Sequence, residues 1–539
     1  LKDASATAIY GSRGANGVIL ISTKRGKSGK ASINYDGTFG LSKINSMTDW
    51  MSAGEYLDWR RNAAITGSTY NGAYGTAPDP SSDRAAFFGT DAYMDRIVRS
   101  AYQLNADGTP VMRAATEAEK AMGYADQVPV YNSGNLYDQN WADLVTRTGI
   151  TNNHQISLTA GTESSSLYMS LAYLNQESPM KDQDYERYTV NINGEITPRK
   201  WLKVGMGINA NHSIKNYGIV SNFANTVAKD SYGLALGMEP YAPAYDEEGK
   251  ILDPRIGLSW HNLLLNIDEA TNETRYYSAM MSSFAEITFT SWLKWRTNFG
   301  AQYRNYREGS YYGENFTNPL GFPSTEPNVA YNNHNKRISW TLENLLYFNK
   351  NINNMHDINV TLMQSAEMFR SEGLNVRAYE VTYPTSLWYN IAESNRSKIA
   401  PGSSYNKQQR ASYMARINYG FMNRYLLTLT GRYDGASMLA AGNKWDFFPS
   451  AALAWKMEEE ECIKTIPWIS QLKLRVGDGF TGNASVNSYS TTGSILAGNI
   501  PFGQGDITGN TAGAKAEVMP NYALGWEKTA STNIGVDFS

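Results

Sequence analysis

The chain has 539 residues, 42% hydrophobic and 18% charged, with 36 Tyr, 17 Phe, 13 Trp, 46 Gly and one Cys. A single cysteine excludes a disulfide framework and thiolate zinc sites, and 48 Lys+Arg against 51 Asp+Glu gives no electrostatic case for binding nucleic acid. The longest apolar runs, such as VILI at 18–21, fall far short of the ~20 residues a membrane helix needs, yet a mean hydropathy of -0.46 is compatible with strands that are apolar at every second position.

In chain order, 3–10 reads as a short helix, 11–17 as a glycine-punctuated turn (Gly11, Ser12, Arg13, Gly14, Ala15, Asn16, Gly17), 18–23 as a strand and 24–30 as a basic linker. The sequence starts without Met inside that helix and carries no signal-peptide pattern, so an internal portion of a longer protein is expected. A first strand follows near 31–41, then a long segment, 43–150, in which Ser52 and Glu55 form a capping box ahead of EYLDWRRNAA. That box predicts a helix. Its basic pair, Arg60 and Arg61, reads as a solvated helix face.

From residue 152 the dominant signal is period-two alternation. In 187–196, Tyr188, Val190, Ile192, Gly194 and Ile196 interleave with Arg187, Thr189, Asn191, Asn193 and Glu195, one face apolar and the other polar. The pattern recurs at 166–174, 201–208, 292–299 and 471–476, and more weakly at 152–160, 274–289, 336–348, 356–369, 409–421, 424–433, 445–456 and 530–539. With 31–41 these make about fourteen strands of the length a tilted membrane strand requires. Tight turns at 161–165, 197–200, 290–291 and 422–423 alternate with long connections at 43–150, 214–273, 306–335, 371–408 and 481–529. Rims that differ in this way fit an outer-membrane barrel with short periplasmic turns and long extracellular loops. Trp201, Trp292, Tyr425 and Trp455 stand close to the tight turns, where an interfacial girdle is expected; packing in ordinary strands is the competing reading.

Several stretches resemble one family. LKDASATAIYGSRGANGVILISTKRGKSGKASINYDGTFG at the start is similar to the end of the plug domain and first barrel strand of SusC/RagA-type TonB-dependent outer-membrane transporters. WADLVTRTGITNNHQISLTAG from Trp141, RYTVNINGEITPRKWLKVGMGINA from Arg187, RYLLTLTGRYDGASMLAAGNKWDFFPSAALAW from Arg424, LKLRVGDGFTGN from Leu472 and WEKTASTNIGVDFS from Trp526 resemble the same family's barrel. The resemblance implies an all-β fold: part of a 22-stranded transmembrane antiparallel β-barrel, with 1–30 the C-terminal end of the plug and 31–539 the N-terminal part of the barrel. It further implies TonB-dependent import across the Gram-negative outer membrane, with a SusD-like surface lipoprotein as partner and an oligosaccharide or peptide as ligand. Segments that contact the TonB complex, most of the plug and the remaining strands are expected outside this sequence. A non-transporting barrel (adhesin or secretion pore) and a secreted β-rich carbohydrate-active enzyme are the alternatives.

No catalytic, cofactor or metal site is expected. Gly11, Gly14 and Gly17 lack the preceding strand and following Lys-Ser/Thr of a phosphate loop, and read instead as a structural motif where plug meets barrel wall, with Arg13 near a barrel carboxylate or solvated. The five histidines are scattered. Cys462 follows an acidic run, the reverse of what activates a thiol, and the tips 105–110 and 245–250 read as Asp/Gly turns rather than calcium loops. Because sugars stack on aromatic rings, the loop aromatics Trp388, Tyr389, Tyr311, Tyr312 and Trp260 are the substrate-binding candidates; packing of loop against loop is the competing reading for each.

Overall fold

A computed structural model describes residues 29–45, 50–66, 78–88, 92–121, 123–219, 230–252, 262–316, 328–501 and 510–539. Fourteen strands form one sheet in which each pairs antiparallel with its sequence neighbours. They are β1 (Gly29–Ser42), β2 (Gly149–Gly161), β3 (Ser165–Glu177), β4 (Asp184–Arg199), β5 (Leu202–Asn216), β6 (Ala270–Thr290) and β7 (Leu293–Tyr312). The meander continues through β8 (Val329–Ile352), β9 (His356–Tyr379), β10 (Ile399–Phe421), β11 (Tyr425–Ala436), β12 (Trp445–Lys456), β13 (Leu472–Asn483) and β14 (Glu527–Phe538). Ribbons at 112–114 with 127–129 and 494–501 with 510–518 lie apart from it.

The register assigns every side chain to a face. On β5, Leu202, Val204, Met206 and Ile208 oppose Ile287, Ala285, Ser283 and Met281 of β6, while Lys203, Gly205, Gly207 and Asn209 oppose Glu286, Phe284, Ser282 and Met280. One face is therefore apolar over the half of the sheet nearest the short turns, and the other polar. Rings bound that apolar band. Near the short turns stand Trp201, Trp292 against Phe348 (5.3 Å) and Tyr425 against Trp455 (6.3 Å). Higher up on the same face run Tyr35, His154, Tyr173, Tyr188, His212 and Tyr277, with His212 and Tyr277 stacked at 4.2 Å. From Trp201 to His212 the strand climbs ~26–30 Å at ~3.3 Å per residue and a 35–45° tilt, which matches the ~25 Å apolar band of a membrane barrel.

The connections segregate as the sequence predicts, but two of the long ones are shorter. The strand ladder of β7 and β8 runs on to Tyr312 and Val329, and that of β9 and β10 to Tyr379 and Ile399. β8 and β9 have 24 residues each, far more than the ~9–11 a tilted spanning strand needs. Their upper halves therefore rise beyond the band, and Tyr311 and Tyr312 are strand residues, not loop residues.

The largest buried core belongs to the long connections. Segment 43–148 contributes α1 (Ala53–Thr66), α2 (Ala92–Arg99) and α3 (Trp141–Val145); segment 217–269 contributes α4 (Ser231–Ala235) and α5 (Leu263–Glu269). Leu57, Phe87, Phe88, Met94, Val98, Ile219 and Tyr241 are wholly buried where the two segments meet. The cap is tied to the sheet at the β3–β4 connection: Lys181 Nζ donates to Leu144 O (2.7 Å), and Asp182 accepts from Ser231 Oγ and Ile219 N (both 2.9 Å).

Candidate ligand-binding site

The capping box holds: Ser52 N donates to Glu55 Oε2 at 2.8 Å and Glu55 N donates to Ser52 Oγ at 3.4 Å. The basic pair behind it is not a solvated face. Arg61 is 4% exposed; its guanidinium forks onto Asp83, donates to Asp58 (3.1 Å) and Tyr102 Oη (3.0 Å), and lies 4.1 Å over the Tyr131 ring. Tyr131 and Ser133 also donate to Asp58, at 2.9 and 2.8 Å. A buried cation is tolerable only when its donors are met in this way, and here the partners come from four stretches of the cap, around 58, 83, 102 and 131. Arg60 packs over Phe87 (5.3 Å) and stands 3.9 Å from Glu239. Burial pushes the Glu239 carboxyl up to about 7, opposed by its own backbone hydrogen bond and by the Arg60 charge. The cap is thus a folded unit with a polar latch at its centre.

Below it, the polar face of the sheet is laced with charge. Lys203 reaches Glu195 at 2.5 Å, and Arg296 bonds Glu286 (3.2 Å) and Asn298 (2.8 Å) while lying 3.9 Å over Phe284. Asn298 continues the chain to Glu343 at 3.4 Å. Of these groups Glu195, Phe284, Arg296, Asn298 and Glu343 line a cavity of about 470 Å³. Farther up the same face Tyr306 and Asn333 donate to Glu308 (3.1 and 3.4 Å), and Arg377 lies 5.9 Å from the Tyr331 ring. Sequence alternation placed Glu195, Lys203, Arg296 and Asn298 on a polar face, but it read 306–335 and 371–408 as connections and could not signal that the register gathers Tyr306, Glu308, Asn333 and Arg377 into the same wall.

The candidates named from sequence separate. Tyr312, on the polar face, packs against Phe316 with ring centroids 4.6 Å apart and planes tilted at 48°. Tyr311 lies on the opposite face and is buried with Trp388, Ala330 and Val381. Trp388 seats on Gly309, where any Cβ would collide with its indole, so both rings pack rather than project. Tyr389 is exposed and stacks on Trp388 at 5.3 Å; Arg275 donates to its hydroxyl (3.3 Å) and Arg307 lies over its ring (5.0 Å). Trp260 and the motif Gly11, Arg13, Gly14, Gly17 fall outside the described residues. The two acidic tips are Asx turns: Asp107 Oδ1 accepts from Thr109 N (3.0 Å), and Asp246 Oδ1 from Glu248 N (3.1 Å).

No protein-family model matches the chain. Over its full length it is 28% identical to a TonB-dependent receptor of Formosa agariphila and 27% identical to the TonB-dependent receptor SusC of Bacteroides thetaiotaomicron, covering 48% of each. The chain resembles SusC-type TonB-dependent receptors along its whole length. It spans about half the length of these curated relatives. The fold agrees: the RagAB peptide transporter superposes with a TM-score of 0.73 at 22% identity, over 100% of this chain and 56% of that one. Its open-open state gives 0.74 at 21% identity, over 99% and 55%. The fold of β1–β14 is thus that of an arc of a TonB-dependent barrel, with one apolar and one polar face.

Proposed function

We propose that this chain supplies the barrel wall and extracellular cap of an outer-membrane, TonB-dependent importer. The observation that carries the reading is the apolar band between two aromatic belts, on a sheet whose opposite face is charged and two of whose long connections, 43–148 and 217–269, fold into one cap at a single rim. A soluble sheet would bury that band against a second layer; here Ile192, Val204, Met206 and Ile208 have no such layer above them among the described residues. Edge strands β1 and β14 need partners in hydrocarbon, where each unsatisfied backbone group costs several kcal/mol. We assign those partners to further strands of the same barrel, and residues 1–30 to the end of its plug.

In this reading ligand enters beneath a SusD-like lipoprotein that seats on the cap, meets the lumenal wall around Tyr306, Tyr312, Tyr331, Asn333 and Arg377, and passes when TonB displaces the plug. Tyrosines alternating with Asn, Glu and Arg offer ring faces and paired donors and acceptors, which suits an oligosaccharide. The similarity to a peptide transporter keeps short peptides as the second cargo class. The test is uptake of labelled oligosaccharides by cells expressing the complete receptor, with and without functional TonB. Accumulation should require TonB, and equal uptake in its absence refutes the mechanism.

A further inference from the structure

Above the apolar band, the lipid-facing wall changes charge by sector. Rising from Phe289, Leu293, Phe348, Ile358 and Tyr419, the first charged side chain on this face of β6 to β10 is Arg275, Arg307, Lys336, Arg370 and Lys407. Each lies twelve to fourteen residues up its strand, or ~28–38 Å along the barrel axis at ~3.3 Å per residue and a 35–45° tilt, the level where headgroups begin. The sign is not uniform around the sheet. On β3 and β4 the corresponding first charges are Glu177 and Glu186.

The register makes this basic ridge costly for the protein by itself. Arg275 is the direct cross-strand partner of Arg307, and Arg370 of Lys407; like charges directly opposite destabilise a strand pair. Two carboxylates on this face offset part of it, Glu273 at 2.7 Å from Arg275 and Glu372 on Arg370. Beside Arg275 and Arg307 the connection 380–398 folds over the wall and encloses a cavity of about 550 Å³, lined also by His334, Asn305 and the rings of Tyr389 and Trp388. The site therefore combines paired guanidinium groups, which suit phosphate, with an exposed tyrosine face, which suits a sugar ring.

We propose that this pocket binds the phosphorylated sugar headgroup of an outer-leaflet glycolipid, with phosphate between Arg275 and Arg307 and the sugar against Tyr389. The proposal rests on the membrane-spanning reading and gives Tyr389 a ligand other than the cargo. The lipid would fix the height of the barrel wall and neutralise the cross-strand cations.

The complete receptor, purified from membranes in mild detergent, is titrated with lipid A, with enzymatically dephosphorylated lipid A and with inorganic phosphate, and bound lipid is counted by native mass spectrometry. Phosphorylated lipid should bind at least about tenfold more tightly than the dephosphorylated form, and the Arg275→Gln/Arg307→Gln double variant should lose at least about tenfold, on the basis of ~1 kcal/mol per basic residue at a charged surface. Lys473→Gln, on the lumenal face, should bind as the parent does. Heat-modifiable electrophoretic migration identifies folded variants, and the comparison of the two lipids on the parent protein stands even if the double variant fails to fold. Equal affinity for both lipids, or an unchanged folded double variant, overturns the proposal, as does displacement by inorganic phosphate at equal concentration. A receptor that leaves the membrane in buffer without detergent defeats the spanning reading instead, which separates the two failures.

Discussion

The lower sheet and the cap solve opposite problems with similar residues. In the sheet, Leu171, Ile196, Met206 and Leu453 stand exposed on a wall with nothing packed over them, while in the cap Leu57, Met94, Phe87 and Phe88 are sealed from solvent. The cap obeys the rules of a small soluble domain, in which apolar area removed from water drives folding. On the reading proposed above, the sheet obeys those of a membrane wall, where lipid takes the place of the core and the polar network faces inward. The difference teaches that charge is tolerated in each region on different terms. Arg61 is acceptable because Asp83, Asp58 and Tyr102 surround it; Arg296 is acceptable because the lumen is polar and Glu286 is near.

The comparison can be broken most severely at the latch. Asp83→Ala leaves the buried Arg61 without its main anion and should cost the cap ~3–5 kcal/mol; rapid proteolysis within 43–148 should follow while heat-modifiable migration of the barrel persists. Collapse of both together would show that cap and wall are not separate units. Next, Ile192→Arg places a cation on the lipid face midway up the band and should destabilise the folded barrel by ~2–4 kcal/mol, whereas Asn191→Arg on the lumenal face should cost less than ~1 kcal/mol. Denaturant titrations in lipid vesicles read the difference, and equal costs would erase the assignment of faces.

The third effect is pH-dependent and confined to the cap. The Glu239 carboxyl titrates near 7 when folded against 4.5 when not, so the folded cap holds the proton more tightly. The stability this confers is complete below 4.5 and is lost as pH rises to about 7, a change of up to about 3 kcal/mol. Hydrogen exchange of α1 and α4 should therefore quicken from pH 5 to pH 8, after correction for intrinsic exchange, and Glu239→Gln should flatten that trend. Smallest of all, Ser52→Ala removes the N-cap of α1 and should cost ~1 kcal/mol, visible as faster exchange in its first turn.

Much of the wall was legible because alternation is a local property. A strand whose even residues are Tyr188, Val190 and Ile192 and whose odd residues are Arg187, Thr189 and Asn191 can sit only one way at a lipid boundary, and the tight turns fix its neighbours. The cap was legible only in short local signals, the capping box of Ser52 and Glu55 and the Asp/Gly turns at 105–110 and 245–250. Arg61 was misread as solvated because helix periodicity cannot foresee an acceptor at Asp83 or a ring at Tyr131, both delivered by other segments. Likewise Tyr311 and Tyr312 sit in a ladder whose length no alternation announced, since 306–335 is too polar and too irregular to advertise strands.

What the sequence by itself determined is the repeat of two, the order of strands and the unequal rims, because side-chain direction in an extended chain follows from backbone geometry alone. Only the tertiary structure decided which cations meet across a strand pair, as Arg275 meets Arg307, and which charges are buried, as Arg61 is with Asp83. Those outcomes depend on register and on contacts between residues far apart in the chain, and each is a competition between desolvation and pairing that no local pattern records.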